Sequence, residues 1–316
     1  VAEAVDVTGL VDRARDGEPR AVARLISLVE QGSSALPEVA ALLAPFTGNA
    51  QVVGITGAPG VGKSTSTNAL VRAFRSAGKR VAVIAVDPSS PFSGGALLGD
   101  RVRMGDHATD PGVFIRSMAT RGHLGGLSWA TPQALRVLDA AGFDVVLVET
   151  VGVGQSEIEV VALADTTLVL LAPGMGDGIQ AAKAGILEIA DVFVVNKADR
   201  DGADQTARDL KYMISLGRRD RTGPLWRPPV LKTVAARSEG LDAVVEAIDA
   251  HCSWMVEHGE LHDRRLRRAA AEIEAIAVDR VRTRLGPADA LAKRVVAGEL
   301  DPFAAAEQLI SGNLRP

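Results

Sequence analysis

The 316-residue chain has a single cysteine, Cys252, no excess of basic charge and no apolar run long enough to cross a bilayer. One thiol excludes an internal disulfide framework and a thiolate metal cluster within one chain, as expected in a reducing compartment. Lysine and arginine total 35 against 39 aspartates and glutamates, a formal net charge of −4. Without a basic field, DNA and RNA are not expected as partners. The longest apolar stretch, residues 160–173, is interrupted by Asp165 and falls short of the roughly 20 residues a spanning helix needs. Residues 1–17 carry acidic side chains and no long apolar segment, so no signal peptide is read there. The expectation is a soluble, cytoplasmic protein with no membrane partner. Histidine is also scarce, at five residues. His258 and His262 stand four apart and could ligate a metal, but with no further Cys or His nearby they read as surface histidines.

Against these absences, 47% of the residues are hydrophobic, enough to bury a full α/β core with length to spare for helical extensions. Helical spacing over residues 10–45, broken at Gly17-Glu18-Pro19 and again over 33–37, predicts two or three short helices. Apolar, β-branched runs follow at 52–56, 81–86, 113–115, 145–148, 167–171, 193–195 and 230–233. Strands apolar at nearly every position are buried on both faces, the condition of a parallel sheet between helix layers. Helical intervals at 64–77, 132–141, 178–190, 205–216 and 240–257 alternate with them, which predicts a doubly wound, mostly parallel α/β sheet. From about residue 258 the pattern is helical, with a break at Gly286-Pro287. The predicted organisation is therefore an N-terminal helical extension (1–48), a central α/β domain (49–257) and a C-terminal helical arm (258–316). Arg264, Arg265, Arg267 and Arg268 read as a solvated helix face, and Trp129, Trp226 and Trp254 as packing or interface residues.

Residues 57–64 read Gly57-Ala58-Pro59-Gly60-Val61-Gly62-Lys63-Ser64, between a predicted strand and a helix opening near Thr65. The glycines let the backbone curl so that successive N–H groups face a polyphosphate, and the helix adds its positive dipole end. Lys63 is assigned to the β- and γ-phosphates and Ser64 to Mg²⁺. Asn196-Lys197-Ala198-Asp199 follows the strand at 193–195. A carboxylate at Asp199 accepts both N1–H and the 2-amino group of guanine, donors that adenine lacks, so the pattern selects GTP. Ala235, Ala236 and Arg237 sit where a further base-contacting loop would lie. Glu149-Thr150-Val151-Gly152 ends the strand at 145–148, placing Glu149 for Mg²⁺ and the Gly152 N–H for the γ-phosphate. Val153 stands where a water-orienting glutamine occurs in Ras-like enzymes. Asp87, at the tip of the strand at 81–86, is a candidate for the metal or the lytic water; Asp100 and Arg101, beyond a glycine-rich stretch, form a weaker candidate pair.

Taken together, the loop at 57–64, Asp87-Pro88-Ser89-Ser90 with its continuation to Met104, Arg116-Ser117-Met118-Ala119-Thr120-Arg121-Gly122, Glu149 to Glu157 and Asn196 to Asp199 resemble the MeaB/ArgK family of P-loop GTPases. The resemblance extends over about residues 10–310. It implies a G-protein chaperone of adenosylcobalamin-dependent methylmalonyl-CoA mutase that gates cofactor delivery and protects the mutase. It further implies Mg²⁺ as cofactor, GTP and GDP as substrate and product, and a homodimer assembled through the C-terminal arm, with a cobalamin adenosyltransferase as a second candidate partner. Carried over by position, Ser64, Asp87, Asp100 and Glu149 match the family's metal-site residues, and Asn196, Lys197 and Asp199 its guanine contacts. Lys63, Asp87 and Glu149 are the catalytic candidates, and residues 174–188 correspond to a further switch. Two alternatives stay open: a nucleotide-dependent binding module with negligible turnover, and an ATP-using kinase or transport accessory protein.

Overall fold

A computed structural model describes residues 6–88, 105–107, 109–120, 130–150, 162–174, 189–216 and 225–313. The chain divides into two compact units, Val1–Arg265 and Leu266–Pro316. The first opens with three helices, α1 (Val7–Arg15), α2 (Pro19–Glu30) and α3 (Leu36–Leu43). Asp6 caps α1 by accepting the Gly9 N–H at 3.0 Å, and Pro19 starts α2 where a missing N–H costs nothing. Val22, Leu25, Ile26 and Val29, spaced at helical intervals, are the buried stripe of α2.

The sheet and its helices follow: β1 (Gln51–Gly57), α4 (Lys63–Ser76), β2 (Val81–Pro88), β3 (Val113–Thr120), α5 (Ala130–Ala140), β4 (Val145–Thr150), β5 (Thr166–Leu171), β6 (Val192–Val195), α6 (Ala203–Leu216), β7 (Val230–Lys232) and α7 (Leu241–Glu257). The seven strands are all parallel in the order β3-β2-β4-β1-β5-β6-β7. Consecutive residues feed opposite faces. Val52, Ile84, Val86, Val146 and Val148 pack with α1, α2 and α5, while Val53, Ile55, Val83 and Leu147 pack with α4 and α7. That two-sided burial explains why these strands read as unbroken apolar runs; each fully buried Val, Ile or Leu contributes about 2 kcal/mol. β1 lies between β4 and β5, with β2 to β4 on one side and β5 to β7 on the other. The carboxyl end of β1 is thus the switch point at which open α/β sheets bind ligands.

β3 is longer than its apolar run. It continues through Arg116 to Thr120 because the Arg116 guanidinium finds Glu30 and Ser27 on α2, so a cation is tolerated inside the layer. The helix expected over 178–190 falls mostly outside the described residues.

The arginine run is a correction. Arg264 and Arg265 do not face solvent but grip two buried aspartates at the amino edge of β5 and β6. Arg264 donates to Asp191 through both terminal nitrogens, at 2.9 and 2.8 Å, and Arg265 reaches the Asp165 carboxylate at 3.1 Å and the Ala50 carbonyl at 3.0 Å. His251, fully buried on α7, has Nε2 3.2 Å from Asp191 and Nδ1 2.9 Å from the Thr166 hydroxyl. Trp226 and Trp254 pack around its ring, as expected of packing residues. Burial pushes the Asp191 carboxyl up, but the hydrogen bonds and charges of His251 and Arg264 outweigh it and hold the pKa below the usual range. A depressed folded-state pKa contributes stability above the unfolded value of about 3.9 and loses it as pH falls through the folded value. Asp191→Ala, which strands Arg264 and His251, is expected to cost about 3–5 kcal/mol in urea unfolding at pH 7, with the deficit shrinking below about pH 4. A deficit that is absent, or unchanged down to pH 3, would contradict the assignment.

The helix α8 (Glu260–Leu285) begins in the first unit; the second contains its remainder, α9 (Asp289–Val296) and α10 (Pro302–Asn313), the last capped by Asp301, with no strand among the described residues. The break at Gly286-Pro287 falls between α8 and α9 as expected. Apolar Ile273, Val278, Val296 and Phe303 of this unit are exposed. No helix among the described residues is long and apolar enough to cross a membrane.

Candidate functional site

The phosphate loop takes the conformation its glycines permit. Gly57, Gly60 and Gly62 have φ of 143°, 80° and 95°, values that L side chains rarely adopt. At Gly62, the residue before the first turn of α4, a Cβ would stand 2.5 Å from Asn196 Nδ2, and at Gly57 it would collide with the Leu170 carbonyl. The glycine requirement is therefore steric as well as conformational. α4 begins at the carboxyl edge of β1, where the N–H groups of a helix's first turn make a ready anion seat.

Lys63, the first residue of α4, is buried, and its ammonium donates to the Gly57 carbonyl at 2.6 Å and the Ala58 carbonyl at 3.2 Å. The cation thus lies inside the loop whose backbone would surround a phosphate. Next to it, the Ser64 hydroxyl donates to Glu149 Oε1 at 2.6 Å, and Glu149 is 3% exposed. Glu149 arrives there because β4 pairs with both neighbours at its level, opposite Ile55 of β1 and Ala85 of β2. A buried carboxylate and a hydroxyl in contact are hard oxygen donors that suit Mg²⁺, which keeps several waters and takes one or two protein ligands beside phosphate oxygens. The backbone of Asp87 lies two residues beyond Ala85 on β2, paired with Ala119. Asp100, Arg101, Gly152 and Val153 lie outside the described residues.

On the other side of β1, Asn196 joins the segments that the sequence left apart. Its Nδ2 donates to the Val61 carbonyl at 2.9 Å; its Oδ1 accepts from Thr233 Oγ1 at 3.2 Å and the Ala235 N–H at 3.1 Å. One buried side chain therefore links the phosphate loop to the loop after β7. Lys197 has a left-handed φ of 56°, costly by about 1–2 kcal/mol for a non-glycine residue, and its ammonium reaches the Gly60 carbonyl at 2.6 Å. Backbone bonds from Asn196 to Leu171 and from Ala198 to Thr233 hold it there. Asp199 is half-exposed on the following turn, with Arg237 3.6 Å away. Ala235 is buried and Ala236 exposed in the short 3₁₀ turn after β7. The structure thus brings Gly57–Lys63, Ser64, Glu149, Asn196, Lys197 and Ala235 to one edge of the sheet.

Sequence reasoning placed Arg237 in the candidate base-side loop but missed Glu239 beneath it, and it missed the buried histidines His251 and His107. The latter has Nε2 2.5 Å from Asn68 Oδ1 on α4. The partners of both histidines, and Asp199 opposite Arg237, are distant in sequence, so spacing carried no signal for them. His258 is exposed and stacks on Trp254, in keeping with a surface histidine. A concavity of about 580 Å³ lined by Asp12, Arg15, Phe46, Asp139 and Asp144 lies at the opposite, amino edge of the strands. Its Asp139 is already engaged by the N–H groups of Gly48, Asn49 and Ala50, and it is remote from the phosphate loop.

Comparison with known proteins agrees with this geometry. The family described as methylmalonyl-CoA mutase-associated GTPase MeaB matches residues 22–290. A putative GTPase of Pyrococcus horikoshii is 47% identical over 305 residues, covering 95% of this chain and 96% of its own. The mitochondrial methylmalonic aciduria type A homolog of Mus musculus is 39% identical over 214 residues, 67% of this chain and 52% of its own. A crystal structure of an LAO/AO transport system kinase superposes with a TM-score of 0.71 at 29% identity, covering 99% of each chain. The phosphate loop at the switch point of a seven-stranded parallel sheet, the Asn196 bridge and these likenesses agree: the chain belongs to the MeaB family of methylmalonyl-CoA mutase-associated GTPases.

Proposed function

We propose that the chain binds GTP at the carboxyl edge of β1, hydrolyses it with Mg²⁺ to GDP, and uses that cycle as a chaperone of an adenosylcobalamin-dependent methylmalonyl-CoA mutase. Its service to the mutase would be gated cofactor delivery and protection. The observation that carries the reading is the Asn196 bridge, which ties a phosphate loop to a base-side loop in one rigid site. In this account the loop amides and Lys63 hold the phosphates, Lys63 exchanging its carbonyl partners for phosphate oxygens on which charge develops. Ser64 and Glu149 would hold Mg²⁺, with Asp87 and Asp100 as further ligands by position. The bound ion would neutralise phosphate charge. Asn196, Lys197, Asp199 and the Ala235–Ala236 turn would select guanine. Asp87, Asp100 or Gln155 is assigned to positioning the water that Val153 cannot orient. The family description and the name of the mouse relative support the mutase as client; a cobalamin adenosyltransferase as second partner and the cytoplasm as location are part of the proposal and rest on the sequence reading alone.

The name of the crystallised relative favours one other reading, a kinase serving transport. An ATP-using kinase must accept adenine, which Asp199 opposes by leaving a carboxylate unmatched. Titration with non-hydrolysable GTP and ATP analogues, followed by phosphate release, separates the two: the GTPase reading requires a preference for GTP of at least about a hundredfold. Equal affinities would end it.

The arm is the proposed dimer element, supported by the exposed apolar side chains of Leu266–Pro316. A chain ending at Arg265 keeps the partners of Asp165 and Asp191 and is expected to be a monomer that binds GTP. Light scattering that shows a dimer would remove the arm from the interface.

A further inference from the structure

We infer that Arg237, gripped by Glu239, is a positioning residue that fixes the Asp199 carboxylate for recognition of the guanine 2-amino group; the inference rests on Asp199 being the base acceptor. The loop after β7 is built to hold this arginine. Val234 and Glu239 form an isolated antiparallel bridge, with the Val234 N–H donating to the Glu239 carbonyl at 3.1 Å and the return bond at 3.3 Å. Between them Ser238 takes a left-handed φ of 57°, and Gly240 follows at 76°, where a Cβ would run into the Lys232 carbonyl. The turn therefore has one shape, and it sets the Glu239 carboxylate under the Arg237 fork, with Nε to Oε1 at 2.7 Å and a terminal nitrogen to Oε2 at 3.4 Å. The other terminal nitrogen is 3.6 Å from Asp199 Oδ2. The same turn supplies the Ala235 N–H to Asn196, so the arginine is mounted on the element that already frames the base side.

The arrangement adds little to folding, because Arg237 and Asp199 are 55% and 39% exposed and such pairs are nearly neutral. Its consequence lies in orientation. To accept N1–H and the 2-amino group together, both Asp199 oxygens must lie in the plane of the base, whereas a half-exposed carboxylate on a turn rotates freely. A guanidinium held rigidly on one side and directed at Oδ2 reduces that freedom before the nucleotide arrives, and the ordering cost of binding falls. A base without the 2-amino group needs only one oxygen and gains less from it.

The test is equilibrium binding of GDP and of inosine diphosphate, which lacks the 2-amino group, to the full chain and to Arg237→Gln, Glu239→Gln, Asp199→Ala and the Asp199→Ala/Arg237→Gln double variant. Arg237→Gln should weaken GDP about three- to fivefold and inosine diphosphate less than about twofold. Glu239→Gln should shift the ratio in the same direction, and Arg237→Gln should change neither ligand once Asp199 is alanine. Parallel weakening of both ligands, or a wild-type ratio in Arg237→Gln beside a collapsed ratio in Asp199→Ala, would overturn the inference alone. A wild-type ratio in Asp199→Ala would overturn the base assignment and the inference with it.

Discussion

Lys63→Ala is expected to lower GTP turnover by at least about a hundredfold, the scale at which loss of one preorganised charge-stabilising group is felt. The side chain is buried, and its ammonium lies within 2.6 Å of the Gly57 carbonyl, inside the loop rather than above it. Its removal has two effects that must be separated. The charge opposite the developing phosphoryl oxygens disappears, which slows chemistry. The Gly57 and Ala58 carbonyls also lose a donor, a loss of about 1–3 kcal/mol in loop order, which weakens GDP and GTP alike. Alanine suits the first turn of α4, so the helix should persist. Single-turnover hydrolysis at saturating GTP reads the first effect and GDP affinity the second. Turnover at the wild-type rate would mean that Lys63 stabilises no transition-state charge.

The second large effect is a change of base. Asp199→Asn replaces an acceptor by an amide whose N–H₂ faces the position of the guanine 2-amino group. The clash of donors should cost GTP about a hundredfold or more, and xanthosine triphosphate, with a carbonyl at that position, should be accepted in its place. The fold should be unaffected, since Asp199 lies half-exposed on a turn with the Arg237 guanidinium 3.6 Å away. Competition binding with the two triphosphates reads the outcome, and unchanged GTP affinity would remove Asp199 from the base site.

These expectations rest on residues that were legible in different degrees. The phosphate loop was readable because its glycines, lysine and serine are contiguous and the chemistry needs them so. The strands were readable because Val52 and Val53, or Val146 and Leu147, supply opposite faces in turn, so that their apolar runs are unbroken. Strand order was not, since β1 lying between β4 and β5 is a property of crossovers rather than of any local pattern. Arg264 and Arg265 were misread for the same reason. Five consecutive positions with four arginines look solvated until the fold brings Asp165 and Asp191 beneath two of them. Asn196 belonged to a recognised motif, yet its bonds to Val61, Thr233 and Ala235 join segments separated by 135, 37 and 39 positions, beyond the reach of spacing arguments.

The coupling of hydrolysis to a client is the central claim, and Val153 is where it begins. A valine cannot orient water, and positioning is most of what phosphoryl transfer requires. The isolated chain should therefore hydrolyse GTP slowly, and contact with the client should supply the missing order. The direct measurement is single-turnover GTP hydrolysis with Mg²⁺, with and without a saturating methylmalonyl-CoA mutase from the same organism. The account predicts a slow rate alone and an acceleration of about tenfold or more with the mutase; a fast rate that the mutase leaves unchanged would contradict it.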